Sequence, residues 1–204
     1  MRKVVLSMFV SLDGYIEGPN REFIAPPWSA DMDRWTAELQ DAGDALVFGR
    51  VCWQGLAEYW PRLHGRAGAG GTDQPQAERE PSTEAEATLA RYMNRVPKYV
   101  FSRTLQSADA WAASTLVRDD PPALVAQLQQ RSGGDIVVLG GADLAGACMR
   151  HDLFDEYRLL VAPQLYGGGT RLFADDRPRS QLELIEQRPM DTGAILLRYR
   201  RKKA

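Results

Sequence analysis

Two segments of the sequence end an apolar run with glycine just where a helix is expected to begin. They are residues 46–50 (LVFGR) and 137–142 (VVLGGA). A glycine lets a ligand approach the backbone because it has no Cβ, and the first turn of a helix offers unpaired N–H groups and a positive partial charge. This combination suits a pyrophosphate, to which Arg50 would add a cation. One such junction is more typical of a tight turn, whereas two of them together with the features described next favour a nucleotide site.

A third junction, residues 99–104 (YVFSRT), places a guanidinium between two hydroxyls after a predicted strand. Arginine binds phosphate in a bidentate manner, and hydroxyls can complete the shell around its oxygens. The pattern is the one expected for a 2′-phosphate, which favours NADP over NAD. Taken alone, these three polar residues would more often form a solvated turn.

Two aspartates are candidates for chemistry near these junctions. Asp31 lies in the first turn of a helix that Ser29 is expected to cap, where the helix dipole favours an acid whatever its role. If that helix turns its apolar side to the core, Asp31 could face a pocket and hold a substrate ring nitrogen or relay a proton. Asp33, on another face, is the alternative. Asp13 precedes Gly14, and Asp-Gly is a common turn that could border a bound nicotinamide.

Several enzyme classes lack their signatures in this chain. Residues 140–145 (GGADLA) do not fit the dinucleotide fingerprint GxGxxG, and no Walker A, GxSxG or HExxH sequence occurs. The two histidines, His64 and His151, are isolated and predict surface residues rather than a metal site. Cys52 and Cys148 have neither CxxC nor metal-ligand spacing, which fits a reducing compartment.

The charge balance argues against polyanionic partners. Lys and Arg number 25 and Asp and Glu number 27, so the formal net charge is -2, and neither a nucleic acid nor a membrane is expected as a partner. The basic residues at 198 and 200–203 are interpreted as a solvated end of the chain. The apolar run at 4–10 ends too early for a signal peptide and no segment has transmembrane length, which predicts a cytoplasmic protein.

Strands and helices alternate along most of the chain. The predicted strands are 4–10, 44–48, 98–102, 110–117, 136–139, 156–162, 181–187 and 194–200, and the predicted helices are 29–41, a short one from 49, 82–94, 122–130 and 142–150. This alternation implies a largely parallel α/β sheet covered on both faces, ending in an antiparallel hairpin with its turn at 190–193. We predict a single domain over residues 1–204, with a long loop at 15–29 and an exposed, flexible insertion at about 61–81.

The same segments resemble the dihydrofolate reductase-like superfamily. They are most similar to stand-alone proteins related to the reductase domain of the bifunctional riboflavin-biosynthesis deaminase-reductase. The matching segments are 11–16 (SLDGYI), 47–50 (VFGR), 97–105 (PKYVFSRTL), 138–142 (VLGGA), 155–158 (DEYR) and 163–169 (PQLYGGG). Each is short, but their order and spacing are specific, and they span nearly the whole chain. The resemblance implies a dihydrofolate reductase-like fold with an eight-stranded mixed sheet, NADPH as the hydride donor, and a homodimer that pairs through the last strands.

The resemblance also implies roles for single residues. Gly49 and Arg50 would contact the pyrophosphate side of the cofactor, and Asp31 would take the place of the substrate-binding acid. The other implied cofactor contacts are Val10 and Ser11 beside the nicotinamide, Ile16 in the mobile loop over it, Ser102, Arg103 and Thr104 around the 2′-phosphate, and Gly140, Gly141 and Ala142 under the pyrophosphate.

The resulting hypothesis is an NADPH-dependent reductase of a small heterocycle, such as a pterin or a flavin-precursor pyrimidine, with residues 15–29 as a lid. Two features depart from the family pattern. The insertion at 61–81 has no counterpart, and no basic cluster is present that would hold a ribityl phosphate. The alternative is a nucleotide-binding or regulatory module without turnover, because a fold does not fix a function. Flavin binding in place of NADPH is a third hypothesis.

Overall fold

The computed structural model describes residues 1–23, 27–63, 83–174 and 179–202. Its strands are β1 Val4–Ser11, β2 Tyr15–Glu17, β3 Gly43–Gly49, β4 Lys98–Phe101, β5 Ser114–Val117, β6 Asp135–Gly140, β7 Glu156–Ala162, β8 Thr170–Arg171, β9 Leu182–Pro189 and β10 Ile195–Arg201. Its helices are α1 Ala30–Ala42, α2 Arg50–Tyr59, α3 Glu84–Arg95, α4 Pro121–Gln129 and α5 Ala142–Arg150, with a 3₁₀ turn at Trp60–Arg62. None of the helices described is long and apolar enough to cross a membrane.

Eight strands form one sheet in the order β5-β4-β3-β6-β1-β7-β10-β9. The neighbours from β5 to β7 run parallel, and the pairs β7–β10 and β10–β9 are antiparallel. The predicted mixed α/β sheet with a terminal hairpin is therefore confirmed. Strands β2 and β8 form a separate two-stranded sheet that the sequence patterns did not predict.

Helices cover both faces of the large sheet, which is why its central strands are apolar on both sides. In β1, Leu6 and Met8 point to the face that α4 and α5 cover, where they join Leu128 and Cys148 in one buried cluster. Phe9 points to the opposite face and packs with residues of α1. Residues of α2 and α3 also cover that opposite face.

Helix α1 begins as the sequence predicts. Ser29 is its N-cap and accepts a hydrogen bond from the backbone nitrogen of Met32 at 3.3 Å. Met32, Trp35 and Leu39 are buried, so the apolar side of the helix does face the core. Asp31 consequently sits at the edge of this apolar side, in the first turn.

Two of the interpretations made from the sequence concern surface residues. The basic residues on β10 are not simply solvated: Arg198 pairs with Glu156 and Glu186, and Arg200 pairs with Glu183. These arginines lie on β10, and acidic side chains on the neighbouring strands β7 and β9 pair with them. Basic residues that are clustered in the sequence therefore form separate ion pairs in the structure. The insertion predicted at 61–81 lies outside the described residues from position 64 onward, as does His64, whereas His151 is exposed as predicted.

Lys98 is fully buried, although it carries a charge. Its Nζ donates to the backbone oxygens of Met93 and Val96, at 2.7 and 2.8 Å, and lies 4.7 Å from the centroid of the Trp111 ring. The ammonium thus satisfies carbonyls at the end of α3, a position where the helix dipole also favours a cation. Burial lowers the pKa of Lys98 from 10.5 to about 8.

We expect the stability of the protein to rise with pH across this interval. Folded Lys98 releases its proton near pH 8, whereas the unfolded chain keeps it to about pH 10.5, so the unfolded state binds more protons in between. The expected gain in the free energy of unfolding is at most about 3 kcal/mol over the window, with no contribution to the slope below it. Urea unfolding as a function of pH measures this. In Lys98→Met that part of the slope should vanish, and parallel profiles for the two proteins would contradict the assignment.

Candidate active site

The strands β3 and β6 are neighbours, but the chain leaves their carboxyl ends in opposite directions. After β3 it enters α2 on one face of the sheet, and after β6 it enters α5 on the other face. In an open α/β sheet the crevice at such a point is where ligands bind. Both predicted glycine junctions lie here, so the fold brings them together at one edge.

The two helices that begin at this crevice have glycine as their N-cap residue. Gly49 precedes α2 and Gly141 precedes α5, and neither can offer a side chain to the first turn. The other described helices, α1, α3 and α4, are capped by the side chains of Ser29, Thr83 and Asp120. The start of α2 and the start of α5 thus point N–H groups and positive dipole ends into one crevice.

The glycines also have a packing role that the sequence did not reveal. A Cβ on Gly141 would lie 3.2 Å from the Cα of Gly49, and Gly141 has a φ of +94°, which glycine adopts readily. A Cβ on Gly140 would lie 2.3 Å from the Sγ of Cys52. The glycines therefore let the two junctions touch each other, as well as leaving their backbone open to a ligand.

Arg50 is the first residue of α2 and is exposed. Its Nη1 donates to Oε1 of Gln54, one turn further along the helix, at 2.8 Å. The guanidinium therefore lies along the helix surface, and reaching a phosphate in the crevice requires it to leave Gln54. Ala142 is the first residue of α5 on the other side of the crevice.

The third predicted junction lies beside the first, since Gly49 pairs with Phe101 in the parallel register of β3 and β4. Just after this pair, the Oγ of Ser102 accepts hydrogen bonds from the backbone nitrogens of Thr104 and Leu105, at 3.2 and 2.9 Å. The hydroxyl thus shapes the loop and keeps its own proton to donate. Arg103 and Thr104 are exposed at the loop's tip.

Arg118 is a residue of this region that the sequence analysis missed. It follows β5 and donates to the backbone oxygens of Ser102 and Leu105, at 2.6 and 2.5 Å. Its position after a strand next to β4 is the signal that could have identified it. Arg118 also lines a cavity of about 430 Å³ that extends toward Leu124 of α4. Two guanidinium groups, Arg103 and Arg118, therefore belong to the loops at this end of the crevice.

The end of β1 is held in place by Asp13. Its carboxylate accepts a hydrogen bond from the Ser11 hydroxyl at 2.6 Å and from the backbone nitrogens of Tyr166 and Gly167 at 3.1 and 2.8 Å. The Ser11 hydroxyl, together with these amides, lowers the pKa of Asp13 to about 2. The Asp13–Gly14 turn was predicted. Its connection to the loop after β7 was not, and this connection fixes where β1 ends.

The residues predicted beside the nicotinamide are found along this same segment. Val10 and Ser11 are buried in the last part of β1. Ile16 lies on β2, is partly buried, and packs against the cluster that α4 and α5 cover. Because β2 pairs with β8, the start of the predicted 15–29 loop is a short strand rather than free loop.

Asp31 lies on a different part of the surface from the glycine junctions. Its carboxylate pairs with the Nη1 of Arg34 and accepts a hydrogen bond from the backbone nitrogen of Asp191, both at 2.8 Å. It thereby connects α1 to the turn between β9 and β10. Asp33, the alternative acid, accepts a hydrogen bond from Nε1 of Trp28 at 2.6 Å.

An aromatic group lies beside Asp31, at the start of α1. The ring of Phe9 is 5.3 Å from that of Trp35 and 5.7 Å from that of Phe23, measured between centroids. Phe23 is exposed and precedes the helix in sequence. A flat apolar ligand placed between the end of β1 and α1 would meet these rings.

Known proteins share the fold described above. The model of the family named RibD C-terminal domain matches residues 2–196. The Bacillus subtilis protein YyaP is 30% identical over 199 residues, covering 97% of this chain and 94% of YyaP. A Shewanella sp. PV-4 protein named for riboflavin biosynthesis has a similar structure, with a TM-score of 0.70, 21% identity and 100% of both chains covered.

A longer structure also matches. The diaminohydroxyphosphoribosylaminopyrimidine deaminase/5-amino-6-(5-phosphoribosylamino)uracil reductase of Thermotoga maritima gives a TM-score of 0.63 at 13% identity. The match covers 98% of this chain but 57% of that protein. The fold of this chain is therefore that of one part of the larger protein. With its eight-stranded mixed sheet and the family match over almost its full length, the chain belongs to the RibD C-terminal domain family and has the dihydrofolate reductase-like fold.

Proposed function

We propose that the protein is an NADPH-dependent reductase of a small heterocyclic substrate, such as a pterin or a flavin-precursor pyrimidine. The observation that carries the proposal is the meeting of two glycine-capped helix starts, those of α2 and α5, at the crevice between β3 and β6. Such an arrangement of N–H groups and dipole ends suits a pyrophosphate. The family and the longer Thermotoga protein's name support the direction of the proposal.

In this proposal each part of the crevice has a task. The helix starts at Gly49 and Gly141 hold the pyrophosphate, and Arg103 with the Ser102 hydroxyl binds the 2′-phosphate. Bound NADPH supplies the hydride from C4 of its nicotinamide. Val10 and Ser11 border the ring at the end of β1, and the Asp13 contacts hold that end still. Hydride transfer requires that the cofactor and the substrate are precisely oriented and that water is excluded, so few titratable side chains are needed at the site.

The substrate side of the proposal rests on the aromatic group of Phe9, Phe23 and Trp35. These rings offer stacking surfaces for a flat heterocycle. Asp31 lies one turn before Trp35 on α1, and its side chain is 18% exposed. In the proposal it receives a ring N–H of the substrate, while Arg34 and the Asp191 amide hold the carboxylate in position.

The direct test is the oxidation of NADPH by the purified protein with a panel of pterins, flavins and pyrimidines. The proposal expects turnover with at least one of them and saturable binding of NADPH alone. Binding without turnover across the panel would favour the alternative, a nucleotide-binding module. A protein that binds flavin nucleotides and not NADPH would support the flavin hypothesis, and one that binds neither would overturn the assignment.

Replacing Asp31 by asparagine should lower turnover by about tenfold or more, because a positioned acid or base typically contributes at least that much. Cofactor affinity should stay nearly unchanged, since Asp31 lies away from the glycine junctions. Asparagine can still accept from the Asp191 amide, so the fold should be retained. Steady-state kinetics and an NADPH titration measure both quantities. Asp33→Asn is the matched control, and full activity of the Asp31 variant would exclude a catalytic part for it.

We also propose that two copies pair through β9. This strand is the last in the sheet, so one of its edges has no neighbour among the described strands. Leu182, Leu184 and Ile185 are exposed along it, at 39, 47 and 44%. An apolar edge with unpaired backbone groups favours association, and a second β9 in antiparallel orientation would extend the sheet across a two-fold axis.

Charges on β9 should therefore convert a dimer to a monomer. The variant carrying both Leu184→Lys and Ile185→Lys puts like charges on either side of the proposed two-fold pairing, which disfavours contact. Light scattering after size-exclusion chromatography should give a dimer mass for the parent protein and a monomer mass for this variant. Leu165→Lys changes a leucine that is 72% exposed elsewhere and should leave the dimer intact. A monomeric parent protein would refute the pairing.

A further inference from the structure

A cavity of about 270 Å³ lies between α1 and the sheet, away from the glycine junctions. Its floor includes Ser7 of β1, Arg158 of β7 and Leu196 of β10. Ser7 is four residues before the end of β1, so at about 3.3 Å per residue it lies roughly 13 Å from Ser11. The cavity is thus a separate space, with a size near the lower end of the range for small-molecule sites, which begins at about 300 Å³.

Ser7 has no hydrogen-bond partner at its hydroxyl. The residue is 2% exposed, it lines the cavity, and its Oγ is unpaired in the described part of the chain. Burying a hydroxyl without a partner costs free energy, and such atoms are few in folded proteins. The Ser7 hydroxyl is recessed behind the cavity lining, so a small movement of that lining would let it bind a polar atom of a ligand.

Arg158 supplies a second donor at the same floor. Its Nε donates to Glu156 at 2.6 Å and its Nη2 to Asp135 at 2.9 Å, while its Nη1 has no partner among the residues described. Arg198 also lines the cavity, shares Glu156 with Arg158 and pairs with Glu186. The two arginines are therefore balanced by the carboxylates Glu156, Asp135 and Glu186, and an uncharged acceptor such as a carbonyl oxygen fits better than an anion.

The residues at the walls and the mouth of the cavity indicate which other groups a ligand would carry. Trp35 and Leu39 of α1 line it, and their apolar surfaces suit a flat ring. At the mouth, Asp41 is exposed and its carboxylate has no ion-pair partner in the described ranges, whereas Glu38, one turn before it, is bound through both oxygens by Arg188. A basic group at the outer end of the ligand would therefore meet Asp41.

We propose that this cavity is a second ligand site, which takes an aromatic amide or lactam of one ring with a basic substituent. The carbonyl oxygen accepts hydrogen bonds from Ser7 Oγ and Arg158 Nη1, the ring packs against the side of Trp35 that lines the cavity, and the basic group faces Asp41. Trp35 is also one of the rings of the aromatic group at the start of α1, so it lies between the two proposed sites and contributes to both. The site does not depend on the proposed reduction and is tested without any nucleotide.

The probe is 4-(aminomethyl)benzamide, titrated into the purified protein by calorimetry and by ligand-observed NMR. Saturable binding is expected, weaker for benzamide and weakest for benzoate. Ser7→Ala should weaken the probe about fivefold, as expected for one lost hydrogen bond. Asp41→Asn should remove the advantage of the aminomethyl group over benzamide itself. Ser132→Ala, which alters an exposed serine in the loop before β6, is the matched control and should change nothing.

A variant that fills the space gives an independent result. Ala42→Phe places a ring at the cavity and should abolish binding, while its thermal unfolding shows whether the fold is kept. A crystal grown with the probe should show the amide oxygen within hydrogen-bond distance of Ser7 Oγ. Absence of saturable binding to the parent protein overturns the site. Benzoate binding more tightly than benzamide, or equal affinities for the parent protein, Ser7→Ala and Ala42→Phe, does so too.

Discussion

Replacing Arg103 by alanine is expected to weaken NADPH binding by about 10- to 100-fold and to leave NADH binding almost unchanged. Arg103 is exposed at the tip of the loop after β4, and none of its nitrogens has a partner within the described ranges, so no internal contact is lost. A charge-assisted hydrogen bond to phosphate contributes roughly 1.5–3 kcal/mol, which corresponds to that range of affinity. NADH lacks the 2′-phosphate, and its affinity therefore reports on the rest of the site.

The measurement is a titration of each cofactor with the parent protein, Arg103→Ala and a control. Arg95→Ala removes an exposed arginine in the last turn of α3 and should affect neither cofactor. An equal loss for NADPH and NADH would refute the role of Arg103 at the phosphate. Raising the salt concentration should weaken NADPH binding more in the parent protein than in Arg103→Ala, because the contact that is screened is absent from the variant.

Arg118→Ala should act differently from Arg103→Ala, because the Arg118 guanidinium already donates hydrogen bonds within the protein. It donates to the backbone of Ser102 and Leu105, which lie 16 and 13 residues away. Removing it frees the loop that carries Arg103. This relationship explains why the sequence indicated Arg103 but not Arg118: the first follows a local strand-end pattern, whereas the second depends on which strands become neighbours.

The difference between local patterns and long-range pairing also decides which other parts of the fold could be predicted. The starts of α1 and α5 were predictable because a cap residue and the apolar spacing are local features, and α5 begins and ends where the sequence indicated. Strands β2 and β8 were not, since they have three and two residues and pair across about 150 positions of sequence. Short strands have too few residues to show alternation, and their pairing is decided by the loops that Asp13 connects.

The glycine junctions have a role that the sequence analysis did not include. Gly49 and Gly141 were predicted to let a ligand approach the backbone. In the structure the two backbones also pack against each other, a contact between residues that are 92 positions apart in the sequence. No pattern in the sequence relates these two positions, because their contact exists only once β6 has inserted between β1 and β3.

The sequence analysis interpreted the basic residues near the C-terminus as solvated, whereas in the structure Arg198 is partly buried in an ion pair. Glu156 of β7 is almost fully buried and accepts hydrogen bonds from Arg158 at 2.6 Å and from Arg198 at 3.0 Å. Arg198 reaches it because β10 pairs with β7 in the register Arg198↔Arg158. Burial alone raises the pKa of Glu156, but the two arginines outweigh it, and the net direction is downward.

Glu156→Ala is therefore expected to destabilise the protein by about 3 kcal/mol or more, because it leaves two partly buried arginines facing each other without their shared carboxylate. That loss is a large part of the about 5–15 kcal/mol that a domain of this kind possesses. Since the pKa of Glu156 is lowered on folding, its contribution is present above its ordinary value of 4.5 and declines as the pH falls below it. The difference between variant and parent protein should shrink accordingly in acid.

Urea unfolding of the parent protein, Glu156→Ala and Glu183→Ala at neutral and acid pH measures these differences. Glu183 is the matched control, because it also pairs with an arginine on β10, Arg200, but both side chains are more than half exposed. Exposed pairs of this kind contribute at most about 1 kcal/mol. If the two alanine variants were equally stable, the shared carboxylate would not hold β7 and β10 together. The terminal hairpin would then depend on Leu160 and Leu196, the apolar residues that face α1 from the same two strands.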